Sequence, residues 1–150
     1  MAAGKKDIIF VGIQLLLFAA YLFEVPALKL ELPSNVDLVH LGLTIAGLVI
    51  IVVALLQLNK NLSPFPTPKK NSVLVKSGLY KYSRHPIYTG IMITTFFLAF
   101  YLHSGYKLLI SCLLILLFYF KSRYEEEGLE KKFPEYKSYK AETGRFGPKF

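Results

Sequence analysis

The chain has a single cysteine, Cys112, in 150 residues, which rules out an intrachain disulfide and a cysteine-based metal cluster. Cys112 lies inside an apolar run and is expected to serve as a small core hydrophobe. There are three histidines, His40, His85 and His103, and the first and last fall near the outer ends of apolar runs, far from His85. Convergent ligation is not expected from that spacing, and no metal is assigned. The G-x-S-x-G elbow, the G-x-x-x-x-G-K-[ST] loop, H-E-x-x-H and G-x-G-x-x-G are all absent, which removes several common catalytic classes. Internal repeats, low-complexity tracts and composition shifts are missing as well, so residues 1–150 read as one domain. From Asn59 to His85 there is no acidic residue at all, yet no nucleic-acid motif accompanies the net charge of +8. That charge therefore reads as membrane topology and attraction to lipid headgroups, with no nucleic-acid partner.

What the chain has in quantity is apolar sequence. Hydrophobic residues make up 53% of it and the mean hydropathy is +0.42. The first apolar run, Ile8 to Phe23, follows Lys5 and Lys6. It is longer than a usual signal core, and Glu24, Val25 and Pro26 do not resemble a small-residue cleavage site, so a helix is expected. Leu38 to Leu58 is the clearest span, because it matches the roughly 20 apolar residues needed to cross hydrocarbon. Its Gly42, Ala46 and Gly47 offer places where another helix could come close. Two shorter runs, Ile87 to Leu102 and Leu108 to Phe120, flank the turn-like His103 to Lys107 and predict a helical hairpin whose last helix continues into the tail. The expected architecture is an all-α integral membrane protein with about four transmembrane helices, at 8–25, 38–58, 87–102 and 106–122, joined by a cytoplasmic loop 59–86 and followed by a cytoplasmic tail 123–150.

Loop charge sets the expected orientation. Asn59 to His85 carries Lys60, Lys69, Lys70, Lys76, Lys81 and Arg84, whereas Glu24 to Asp37 has three acids against one lysine. The basic loop is expected in the cytoplasm, with both termini on the same side.

Chemistry concentrates in Gly78 to Gly90, which reads G-L-Y-K-Y-S-R-H-P-I-Y-T-G. Arg84 and His85 offer donors to an anion, and Tyr80, Tyr82 and Tyr88 offer apolar faces with polar tips. Pro86 favours an extended His85 and suits the first position of a helix. Past the last run, Arg123 and Glu127 are four residues apart and would share one helix face, while Leu129, Phe133, Tyr136 and Tyr139 follow at near-helical spacing. A solvated ion pair is the plainer reading of the charged couple.

Taken together, L-V-K-S-G-L-Y (74–80), R-H-P-I-Y-T-G (84–90), R-Y-E-E-E (123–127), Phe133 and Y-K-S-Y (136–139) resemble the isoprenylcysteine carboxyl methyltransferase family. The likeness runs from about Pro64 to Phe150, and Ser63 to Pro68 is similar to the small prokaryotic members. It implies an S-adenosylmethionine-dependent membrane methyltransferase without a Rossmann domain, in a prokaryotic inner membrane, with its cofactor pocket built from loop, hairpin and tail. Ser72, Val73, Leu74, Val75, Tyr80, His85, Pro86, Ile87, Tyr88 and Glu127 are the cofactor residues it implies, and Arg123 would face the methyl acceptor. The acceptor is expected to be lipophilic, reaching the pocket from the bilayer, with carboxyl O-methylation the first reading. N-methylation of a phospholipid headgroup, a nicotinamide-dependent membrane reductase and a non-catalytic membrane subunit are the alternatives.

Overall fold

The computed structural model describes residues 4–58, 63, 65–68 and 71–149. Pro64 and three of the basic-loop lysines, Lys60, Lys69 and Lys70, lie outside the described residues. Among the described residues there are five α-helices and no strand: α1 (Lys5–Tyr21), α2 (Asp37–Leu58), α3 (Pro86–Tyr101), α4 (Gly105–Lys132) and α5 (Tyr136–Glu142). By length and composition α2 and α4 can cross a membrane. The 16 residues of α3 rise only about 24 Å at 1.5 Å each.

The bundle is held at its ends by polar contacts and along its length by apolar ones. Helix α2 packs on α3, α3 on α4, and α4 on α1. Tyr21, Ile110, Leu114, Leu117 and Phe118 form the buried core, which Phe10, Leu17, Phe18 and Tyr88 complete. Outside it the protein is apolar: Leu15, Leu16, Leu38, Val49, Leu56, Leu109 and Leu116 are all exposed. So large an apolar exterior suits hydrocarbon rather than water. Cys112 belongs to it, which corrects the expectation of a core residue. Periodicity explains the error, since a run apolar on every side does not reveal which side faces inward.

Of the three small residues noted on α2, Gly47 sets the α2–α3 contact. A Cβ built on Gly47 would stand 2.8 Å from Thr94 N and 2.9 Å from Gly90 O, and one on Gly90 would stand 2.8 Å from Gly47 O. Backbone meets backbone there, which only glycine allows. At Gly42 a Cβ would meet nothing within 4 Å.

The end of the bundle where α3 turns into α4 is closed by two ion pairs. His103, at φ +52° in the turn, places Nε2 3.0 Å from Asp37 Oδ1. Buried Lys107 donates to the carbonyls of Tyr21 (2.7 Å) and Phe23 (3.1 Å), and it lies 3.3 Å from Glu24. A cation at the C-terminus of α1 satisfies carbonyls that helix geometry leaves open. Ser104 caps α4 by accepting from Lys107 N at 3.2 Å. At the opposite end, Asp7 Oδ2 accepts from Gly4 N (2.9 Å) and from Thr67 Oγ1 (2.6 Å), tying the proline-rich segment to the start of α1. Phe133 and Pro134 separate α4 from α5, and α5 folds back on the 3-10 turn Gly78–Lys81, where the Tyr139 hydroxyl donates to the Tyr80 carbonyl.

Candidate functional site

A cavity of about 330 Å³ opens where the loop, the start of α3, the end of α4 and α5 converge, within the size range of small-molecule sites. Residues 72–76 supply an extended wall, the turn at Gly78–Lys81 brings in Tyr80, and the first turns of α3 bring in His85 to Tyr88 and Ile91. From α4 come Lys121, Glu125 and Leu129, from α5 Tyr136 and Tyr139, and from α1 Gln14.

His85 adopts an extended φ of −129° as the N-cap of α3 with Pro86 after it. Its ψ of 59° falls short of the extended region expected before a proline, and its ring lies parallel to that of Tyr88, 5.4 Å away. Tyr88 stacks in turn on Phe118 at 4.7 Å and donates its hydroxyl to Glu125 Oε2 at 3.0 Å. His85 Nδ1 stands 3.7 Å from that same oxygen. An aromatic stack thus ends on a carboxylate in the cavity wall.

Behind the wall lies a denser polar knot. Glu126 is 1% exposed. Its Oε1 takes Arg84 Nε (3.0 Å), Arg84 Nη2 (2.9 Å), His85 Nε2 (3.2 Å) and Arg145 Nε (3.1 Å), while its Oε2 takes Arg145 Nη2 (3.0 Å). Lys140 Nζ approaches to 3.4 Å. Burial by itself would raise the Glu126 carboxyl; the hydrogen bonds from His85 and Arg145, with the charges of His85 and Arg84, outweigh it and hold the group well below the usual carboxylate range. Backbone bonds reinforce the knot: Arg84 N donates to Gly144 O (2.9 Å), His85 N to Arg145 O (3.1 Å), and Thr89 Oγ1 to Phe146 O (2.9 Å). The Arg84 guanidinium also donates to the carbonyls of Lys140 and Thr143. Its donors are thereby spent inside the protein, so the expectation that Arg84 offers itself to an anionic ligand is corrected.

Three phenols frame the cavity. Burial first, then the charges of Glu125 and neighbouring Tyr139, pushes Tyr80 upward, and burial with the charge of Glu126 does the same to Tyr136. Tyr139 is pushed up to about 12, chiefly by burial. All three stay protonated donors at neutral pH. Tyr80 donates to Ala54 O at 3.4 Å, whereas the Tyr136 hydroxyl, on a residue 1% exposed, finds no partner among the described residues. A buried hydroxyl costs free energy unless something bonds it.

Nine of the residues expected at the cofactor site line this one cavity: Ser72, Val73, Leu74, Val75, Tyr80, His85, Pro86, Ile87 and Tyr88. Glu127 and Arg123 do not. Glu127 is exposed and lines a second cavity, of about 460 Å³, with Tyr124, Lys131 and Lys132 on the other side of Pro66 to Pro68. Arg123 is exposed and rests on the Tyr119 ring, 6.0 Å from its centroid. The two do share a helix face, as their spacing predicts, but that face turns outward. The residues missed were Glu125, Glu126, Lys121, Tyr136, Arg145 and Gln14. A signal for Glu125 and Lys121 was present, because counting back from Leu129 in fours along α4 reaches Glu125 and then Lys121. No comparable pattern marks Gln14 or Arg145, which reach the site through tertiary packing alone.

An all-helical protein with an apolar exterior and a charged, aromatic cavity at one end of its bundle defines a membrane-embedded small-molecule site. The chain belongs to the phospholipid methyltransferase family, whose match covers residues 38–136, and it is a membrane methyltransferase. No curated protein matches it significantly. The matched region holds α2, α3, α4 and the cavity wall from Ser72 to Tyr136, while α1 and most of the tail that carries Arg145 lie outside it.

Proposed function

We propose that the protein transfers a methyl group from S-adenosylmethionine to a lipophilic acceptor that reaches the cavity from the bilayer. The carrying observation is the donor and acceptor set of the cavity: the Glu125 carboxylate, the Tyr136 hydroxyl, which has no partner among the described residues, and the ring of Tyr80. The cofactor presents an ammonium, a carboxylate, ribose hydroxyls and a sulfonium, and each finds a matching type there. Glu125 binds the ammonium, and it takes the place at the cofactor site where the resemblance had put Glu127. Ser72 to Val75 supply backbone groups, Tyr136 donates a hydrogen bond, and Tyr80 offers a π-face to positive charge. His85, Pro86 and Ile87 shape the wall, and Glu126 holds His85 in place from behind.

When bound, S-adenosylmethionine supplies a methyl on a sulfonium sulfur; as the new bond forms at the acceptor, the C–S electron pair leaves on sulfur. Positioning then does most of the work of the protein. A carboxylate acceptor needs no base, and carboxyl O-methylation of an isoprenylcysteine-like lipid is the first reading. The family match favours a second, N-methylation of a phospholipid headgroup, in which the amine must lose a proton. The four apolar runs support four spans, the loop charges support termini, basic loop and cavity facing the cytoplasm, and the resemblance to small prokaryotic members supports an inner membrane.

Purified protein, labelled S-adenosylmethionine and a total membrane lipid extract test the reading. A base-labile product identifies an ester and a stable one a methylamine, and Glu125→Ala should abolish either while weakening cofactor binding by calorimetry about tenfold or more. Binding of a nicotinamide cofactor in place of S-adenosylmethionine would replace this reading with a reductase. Binding of neither would leave a non-catalytic subunit.

A further inference from the structure

Lys121 stands apart from the cofactor set. It is 2% exposed, it lines the cavity, and it stands where the apolar run Leu108 to Phe120 of α4 gives way to Ser122 and Arg123. Its Nζ donates to Gln14 Oε1 at 2.6 Å and lies 5.4 Å from the centroid of the Tyr88 ring. Glu125, one turn further along α4, and Asp7 of α1 are the carboxylates whose charge it feels.

Direction matters. Helices α1 and α4 run antiparallel, with Lys107 at the Tyr21 end and Lys6 over the Tyr124 ring at the other. Side chains on a helix lean towards its N-terminus, which for Lys121 is away from the tail. Gln14 lies seven residues along α1 from Asp7, a rise of about 10 Å. The ammonium is therefore carried inward along the bundle, the reverse of the snorkelling that a lysine near a membrane surface ordinarily adopts. An ionisable group kept at depth, facing a cavity, points to a ligand of opposite charge. Glu125 lies on the tail side of Lys121, and Tyr88 touches both, through its hydroxyl to Glu125 and its ring to Lys121.

We propose that Lys121, oriented by Gln14, binds the oxyanion of the methyl acceptor. The inference rests on the methyltransferase reading and replaces Arg123 as the residue that faces the acceptor. One chemistry has two sources here: the reacting carboxylate of a prenylcysteine-like lipid, or the phosphodiester beside a reacting headgroup amine. Gln14 is a positioning residue, contributed by a helix outside the matched family region.

The test compares acceptors with and without the oxyanion, using binding to cofactor-free protein as well as turnover. One arm uses N-acetyl-S-farnesylcysteine and its neutral amide; the other uses vesicles containing phosphatidylethanolamine and vesicles containing a long-chain amine without phosphate. The parent should prefer the oxyanion-bearing member in one arm, and that arm identifies the source. Lys121→Met should erase the preference, with a loss of about tenfold or more in binding and in KM, while S-adenosylmethionine affinity stays within about twofold. Lys121→Arg should restore it. Gln14→Leu, which keeps the charge in place, should reduce the preference with kcat and cofactor affinity little changed. A parent with no preference in either arm overturns the proposal, as does a Lys121→Met protein that retains the preference or loses cofactor affinity by the same factor. Absence of cofactor binding in the parent sinks the methyltransferase reading instead, and leaves the oxyanion preference as a separate result.

Discussion

At the scale of single residues, Glu126 is where most free energy is at stake. Removing one member of a buried charged network leaves the others uncompensated, which costs about 3–5 kcal/mol. Glu126→Ala should therefore lower unfolding stability in detergent by that order, because Arg84, His85 and Arg145 would face each other without a counter-charge. The pH dependence has a definite sign. A carboxyl held below its ordinary value of 4.5 contributes stability that is fully present above that value and is lost as pH falls from there toward the folded value. Acid titration of the parent should show a steeper loss below about pH 4.5 than Glu126→Gln shows; parallel curves would mean that the knot carries little stability. Tyr136→Phe makes the contrasting case. Its hydroxyl has no partner among the described residues, so removing it should leave the melting temperature unchanged or raised, while S-adenosylmethionine affinity falls about fivefold to tenfold, the value of one neutral hydrogen bond. A drop in stability with unchanged affinity would place that hydroxyl outside the ligand site.

At the scale of elements, the close contact of α2 and α3 carries its own prediction. Gly47 and Gly90 bring two backbones together, and an added methyl at Gly90 must displace Gly47 O and the Ile51 side chain. Gly90→Ala should cost about 1–3 kcal/mol by overpacking, whereas Gly42→Ala, in open space, should be neutral; thermal unfolding of the two side by side checks the difference. The helices themselves were legible in the sequence. Apolar runs located α1 to α4 within a few residues, Pro86 marked the start of α3, and the His103 to Lys107 turn separated the hairpin. Continuation of the last run into the tail was also readable, because thirteen apolar residues from Leu108 are short for a span and α4 indeed runs to Lys132. Rotation about each axis was not readable. Uniformly apolar helices carry no moment to orient them, and so Cys112 was expected inside. The family resemblance pointed to Glu127, whereas the inward positions are Glu125 and Glu126.

At the scale of the whole molecule, the loop wall of the site was legible and its far wall was not. Nine cavity residues between Ser72 and Tyr88 followed from the family resemblance, whose motif there lies in one continuous stretch of chain. Gln14, Lys121 and Arg145 come from segments brought together only by packing. Orientation is the global property still expressed as an expectation, and it has a direct test. In a Cys112→Ser background, a cysteine at Asn71, which is exposed, should be labelled by an impermeant thiol reagent only when the cytoplasmic face is open, and one at exposed Ala27 only from the other side. Labelling in the reverse pattern would invert the topology.

The pairing of Arg84 and His85 with Gly144 and Arg145 also has a meaning in time. Ribosomes deliver residues in order, so when the R-H-P junction has already met the membrane surface, about sixty further residues must be made before its partners exist. Until then Arg84 is an uncommitted cation, suited to holding the nascent loop on the cytoplasmic side. Synthesis of the tail lets the same guanidinium add the carbonyls of Lys140 and Thr143 to its contact with Glu126. A chain halted at Phe133 should accordingly insert all its long helices with normal topology, yet bind no S-adenosylmethionine, and a separately supplied peptide spanning Pro134 to Lys149 should restore binding.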